Sequence, residues 1–146
     1  MRRAVLPATE RPNPRTARLD RLSTRQILSL LNREDAQVAG AVRQALPQIA
    51  RAVDAIVAAL RRGGRLFYVG AGSSGRLGVL DAAEIPPTFQ VPSRRVQAVI
   101  AGGRRAMFRS AEAAEDSAAA GARDLARKKV QRGDVVVVLT AGGATP

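Results

Sequence analysis

Apolar residues recur at three- and four-residue steps through the first part of the chain, then gather into short unbroken runs. After Ser23, Ile27, Leu28, Leu30 and Leu31 fall at helical spacing. Ser23 and Gln26 form an S-x-x-Q capping box in front of them, so a short helix is expected to about Arg33. A second helical pattern runs from Asp35 to Arg62 through Val38, Val42, Ala45, Ile49, Val53, Ile56, Val57 and Leu60. Pro47 lies inside it and is expected to kink or restart the helix, because proline removes a backbone donor and crowds the preceding turn. Gly63 and Gly64 end it.

The unbroken runs are RLFYVG at 65–70, VQAVIAG at 96–102 and DVVVVLT at 134–140. Each reads as a buried strand. Between them the pattern predicts a helix over 74–83 and an Ala-rich helix over 104–128, broken near 114–116. Continuously apolar strands alternating with helices imply a parallel sheet covered on both faces. The expected class is therefore α/β, a three-layer arrangement with a parallel sheet flanked by helices. Three parts are expected: an N-terminal arm over 1–22, rich in Pro and Arg and either disordered or laid against a partner; a helical segment over 23–62 that packs on the core; and the α/β part over 63–146.

Composition narrows the chemistry. Of 146 residues 46% are hydrophobic but only 3% aromatic, so the core must be aliphatic. Neither Cys nor His occurs. Disulfides and Cys or His metal ligands are thereby excluded, and acid–base work falls to Asp, Glu, Tyr, Lys or water. A formal net charge of +12 raises the possibility of nucleic-acid binding. The arginines are dispersed, however, and no stripe of them is interleaved with aromatics for base stacking, so no nucleic-acid partner is expected. No apolar run reaches the roughly 18 residues of a membrane span. The N-terminus lacks the apolar core of a secretory signal, and a cytoplasmic location follows as the default.

The loop Gly70-Ala71-Gly72-Ser73-Ser74-Gly75 fits G-x-G-x-x-G and sits between the first strand and a helix, where open α/β sheets bind ligands. Backbone N–H groups at a helix start favour an anion. A dinucleotide site would also need an acidic residue about 20 positions further on, and TFQVPSRRVQ has none. No Gly-Lys-Ser/Thr follows either, so a P-loop is excluded. Two adjacent hydroxyls beside several backbone donors suit a phosphate monoester better than a pyrophosphate. Equally, either serine could simply cap the helix.

Glu84 is followed by Ile85 and the pair Pro86-Pro87, which are expected to stop the helix at once. A carboxylate at a helix C-terminus is electrostatically unfavourable, which suits a group that holds and gives up a proton. An ordinary surface glutamate is the alternative. In EAAED, Glu112, Glu115 and Asp116 read as an acidic helix face or the first turn of a new helix.

Several stretches together resemble the N-acetylmuramic acid 6-phosphate etherases, members of the sugar isomerase (SIS) fold. They are TERPNPRTARLDRLST, GRLFYVGAGSSGRLGVLDAAEIPPTF, IAGG and AEDS, in order along nearly the whole chain. The resemblance implies a cofactor-free lyase of cell-wall sugar recycling. It cleaves the D-lactyl ether of N-acetylmuramic acid 6-phosphate by elimination and then hydration. It further implies that Glu84 is the proton donor and Glu115 the second catalytic glutamate. Gly72, Ser73, Ser74, Gly75 and Arg76 would hold the sugar phosphate, and the protein would be a homodimer with sites near the subunit interface.

Some positions depart from that family. Its members run to roughly twice this length, so the chain reads as a truncated SIS domain. Gly142 and Ala144 stand where the family's second ligand loop carries Ser and Arg. Arg104 replaces an acidic residue and Ile85 a common Cys. A non-catalytic phosphosugar-binding or regulatory SIS module, or an inactive fragment, is the alternative reading.

Overall fold

The computed structural model describes residues 8–111 and 114–143. The chain divides between Val53 and Asp54 into two compact units.

In the first unit, residues 8–22 form three single 3-10 turns, Ala8–Glu10, Pro14–Thr16 and Leu19–Arg21. They are held to the unit's own helix rather than left free. Asn13 Nδ2 donates to Glu34 at 2.9 Å, and Arg15 pairs with the other oxygen of the same carboxylate at 3.1 Å. The capping box forms as expected. Gln26 N–H donates to Ser23 Oγ, and Gln26 Oε1 accepts from the Ser23 backbone N–H at 2.8 Å.

The two expected helices are one, α1, Thr24–Arg61. The polar run Asn32-Arg33-Glu34-Asp35, which suggested a break, stays helical, and Glu34 is occupied by the arm. Pro47 does not end α1 either. Its fixed φ matches a helix, and the carbonyl it leaves without a donor, that of Arg43, lies on an exposed stretch open to water.

The second unit carries the sheet. The strands are β1 (Leu66–Gly70), β2 (Val96–Ile100) and β3 (Val135–Leu139), parallel and in the order β2-β1-β3. The register pairs Leu66 with Val96 and Val135, and Gly70 with Ile100 and Leu139. β1 is central and supplies Phe67, which is fully buried. α2 (Gly72–Phe89) packs on the face of Tyr68 and Leu139 through Gly78: a Cβ there would stand 2.9 Å from Tyr68 Cβ. α3 (Ala118–Arg127) lies on the other face, across a cavity of about 790 Å³ that Val69, Val99 and Val138 also line. The class is thus α/β, with helices on both sides of a parallel sheet.

Three expectations give way. α2 does not stop at Glu84 but includes Pro86 and Pro87 and ends at Gln90, whose φ is 53°. Each proline costs one backbone bond in the last turns, and its ring suits the helical φ. The long helix over 104–128 is replaced by 3-10 turns at Gly103–Met107 and Ala114–Asp116, followed by α3 with Ser117 as its N-cap. Finally, β3 is not covered on both faces. Val136 and Val138 are 37% and 61% exposed, as an edge strand with one open side allows.

Candidate functional site

The glycine loop stands at the C-terminal edge of β1, as its spacing predicted. Gly70 and Gly75 have no room for side chains. A Cβ on Gly75 would stand 2.5 Å from the Gly70 carbonyl oxygen and 2.7 Å from Ile100 Cγ1. This close approach seats the first turn of α2 directly on the strand ends. Ala71 is extended, and Gly72 opens the helix at φ +52°.

The first helical bond runs from Gly75 N–H to the Ala71 carbonyl, 3.0 Å. The N–H groups of Gly72, Ser73 and Ser74 therefore have no helical acceptor. The two serine hydroxyls make no hydrogen bond among the described residues, and Ala71 provides no side-chain cap. The capping alternative for the serines is thus not used. The first turn of α2 thus offers three backbone and two hydroxyl donors, groups of the kind that phosphate oxygens accept from.

Arg76 takes a different place from the one its proximity suggests. Its Nε donates to the Met107 carbonyl at 3.2 Å and Nη2 to the Arg109 carbonyl at 3.3 Å. It ties α2 to the Gly103–Met107 turn, so its charge stands beside the loop while Nε and Nη2 are engaged with that turn and the residue just after it. Between the loop and that turn lies a small cavity of about 130 Å³. Ala71, Gly72, Arg76, Ala101, Ser110 and Ala114 are among the residues that line it.

Glu115 belongs to the 3-10 turn Ala114–Asp116, whose backbone stands beside this cavity, while its side chain lies outside the described residues. Glu112 and Ala144 lie outside them as well. Gly142, three residues past the end of β3, is exposed. Glu84 is not brought to the loop. It is exposed on α2, twelve residues after Gly72, which at a helical rise of 1.5 Å places it about 18 Å along the axis.

Sequence reasoning passed over Tyr68 and Asp81. The Tyr68 phenol is pushed up to about 12, chiefly by burial and then by a hydrogen bond with Asp81. Nothing in the local pattern marks this pair, because it joins a strand to a helix thirteen positions later. Among the described residues no cluster of three or more acidic, His or Cys side chains could hold a metal ion. No helix there is long and apolar enough to cross a membrane.

Residues 48–146 match the family model of the glucokinase regulatory protein N-terminal SIS domain. Among curated proteins, an N-acetylmuramic acid 6-phosphate etherase of Gloeobacter violaceus is 57% identical over 138 residues, 94% of this chain and 45% of that protein. Etherases of the same name from Symbiobacterium thermophilum and Rubrobacter xylanophilus are 58% and 56% identical, over 88% and 94% of this chain. The chain spans under half the length of these relatives. It belongs to the SIS-domain family of that model, and over nearly its whole length it matches the N-terminal portion of proteins named N-acetylmuramic acid 6-phosphate etherase.

Proposed function

We propose that the chain provides the phosphosugar-binding part of a cofactor-free carbon–oxygen lyase that cleaves the D-lactyl ether of N-acetylmuramic acid 6-phosphate. The observation that carries this reading is the strand–loop–helix junction, with three unpaired N–H groups and two unengaged hydroxyls at Gly72–Ser74, in a chain more than half identical to etherases. The products are N-acetylglucosamine 6-phosphate and D-lactate.

In the elimination step a base removes the proton at C2, alpha to the carbonyl of the open-chain sugar. The C3–O bond breaks, its electron pair leaves with the lactyl oxygen, and an acid protonates that oxygen. Water then adds across C2=C3, the hydroxyl to C3 and the proton to C2. Glu84 is assigned as the acid and Glu115 as the second carboxylate. Gly72, Ser73, Ser74 and Gly75 hold the phosphate, and Arg76 adds positive charge behind them. The reaction changes no oxidation state overall, and two carboxylates supply every proton transfer it needs. A cytoplasmic homodimer is part of this proposal.

The test is release of D-lactate from N-acetylmuramic acid 6-phosphate. Activity is expected of a protein of the relatives' full length that carries this chain, and Glu84→Gln there should abolish it while leaving affinity for the phosphosugar nearly unchanged. Full turnover by Glu84→Gln removes the assigned role. A second reading, a phosphosugar sensor without turnover, is favoured by Gly142 in the second loop and by the regulatory protein that names the family model. It predicts tight binding of the ester with no lactate after long incubation.

A further inference from the structure

Cations that are dispersed along the sequence are gathered by the fold. The three strands start level with one another, since Leu66 pairs with both Val96 and Val135. The segments leading into them, 60–65, 90–95 and 127–134, therefore meet at one end of the sheet, opposite the glycine loop. They bring Arg61, Arg62, Arg94, Lys128, Lys129 and Arg132 to that end, all six exposed. The only carboxylate in these segments is Asp134, whose side chain is buried and taken up by Arg65. None of the six has an ion-pair partner among the described residues.

Helix ends account for two other cations here, but not for these. α1 and α3 finish at this end with carbonyls that attract positive charge. Arg95 donates to the Leu60 carbonyl, and Arg65 to those of Lys128 and Lys129. Among the described residues none of the six makes such a bond. Like charges crowded together repel, so an anion docked on this end would relieve them.

The same end carries an apolar tip. α2 runs back along β1, with Gly75 against Gly70 and Gly78 against Tyr68. From Gly78 to Phe89 the helix advances about 16 Å, whereas from Tyr68 back to Leu66 the strand covers about 7 Å. Phe89 therefore stands beyond the strand starts, and it is 64% exposed.

A nucleic acid strand is tracked by a basic groove with several stacked aromatics. Here the cations lie level across three strands and the ends of α1 and α3, which makes a broad face with one aromatic beside it. Such a face matches the headgroup layer of a bilayer. We propose that this end of the α/β unit adsorbs to an anionic phospholipid surface, with the six cations at the headgroups and Phe89 inserted among them. The glycine loop then faces away from the lipid and stays open to solvent. The proposal does not depend on what that loop binds.

The test uses a protein of the relatives' full length that carries this chain. It should sediment with phosphatidylcholine vesicles containing about one third phosphatidylglycerol, and not with phosphatidylcholine alone. Raising NaCl from about 0.1 M to about 1 M should release it. The triple variant Arg62→Glu, Arg94→Glu, Arg132→Glu should weaken the partition about 100-fold, at about five-fold for each cation lost. Arg25→Glu, Arg43→Glu, Arg51→Glu makes the same change of net charge away from this end and should leave partition nearly unchanged. All six side chains are exposed and without a bond among the described residues, so both triples should keep the parent Tm. Phe89→Ser should weaken vesicle binding several-fold and leave binding of duplex DNA unchanged. No sedimentation with the anionic vesicles, an equal loss in both triples, or full vesicle binding by Phe89→Ser each overturns the proposal. Binding of DNA without binding of vesicles would make this face a nucleic-acid surface and overturns it too.

Discussion

The Arg65 guanidinium and the Asp134 carboxylate clamp the start of β1 to the start of β3. Nη2 donates to Oδ2 at 2.6 Å and Nε to Oδ1 at 3.2 Å, and the Arg65 backbone N–H adds a third bond at 2.9 Å. Arg65 also donates to the carbonyls of Lys128 and Lys129, which fixes the chain just after α3. With its side chain 1% exposed, Asp134 has lost nearly all contact with water, and these donors replace the hydration.

The clamp sets an acid limit on stability. Hydrogen bonding from Arg65 holds the Asp134 carboxyl down at about 2, against an ordinary value near ~4. A depressed carboxyl stabilises the fold above its unfolded value, and that stabilisation is lost as pH falls through the folded value. Thermal denaturation between pH 5 and pH 2 should show Tm falling mainly below pH 4. Asp134→Asn should lower Tm at pH 7 by roughly 5 °C and flatten that dependence. An unchanged acid profile in Asp134→Asn would assign the acid sensitivity to other groups. At the alkaline end, Tyr68 stays protonated to about 12 while the unfolded phenol ionises near ~10, so stability should fall as pH rises above 10.

Gly75→Ala tests the seating of the loop. The added methyl carbon would stand 2.5 Å from the Gly70 carbonyl oxygen, and that neighbour is backbone that cannot swing aside. A stability loss of about 1–3 kcal/mol is expected, with weaker phosphosugar binding measured by calorimetry. Normal stability and affinity would mean that α2 can slide without consequence for the site.

Ser73→Ala and Ser74→Ala test the hydroxyls. Neither makes a protein hydrogen bond among the described residues, so stability should hold within about 0.5 kcal/mol. Each loss should cost about 1 kcal/mol in binding of a sugar 6-phosphate, close to five-fold in Kd, and nothing for the unphosphorylated sugar. An equal loss for both ligands would place the serines elsewhere than at the phosphate.

Arg76→Lys separates charge from geometry. Lysine keeps the positive charge but not the fork that reaches both the Met107 and Arg109 carbonyls. Hydrogen exchange should speed up in the Gly103–Met107 turn, and phosphosugar affinity should fall with it. Faster exchange without any loss of affinity would confine Arg76 to a structural role.

Much of this molecule could be read along the chain. The three strands lie where the apolar runs put them, since a β-branched run such as Val135–Val138 suits a pleated strand even at the sheet edge. The Ser23–Gln26 cap and the glycine junction were equally plain, because both depend on residues within a few positions of each other. Breaks were harder to read. Pro47, Pro86 and Pro87 each signalled an end, yet helices run through all three, because losing a bond or two does not outweigh the packing and continuity of a long helix. The sequence alone determined the three strands, the Ser23–Gln26 cap and the glycine junction between β1 and α2. Only the tertiary structure decided that Arg76 braces a turn and that Asp134 secures the sheet. It also showed that Glu84 stands about 18 Å from the loop it was meant to serve. Local pattern reports what a segment prefers; distances between segments come from how the elements pack, and one chain's spacing does not contain them.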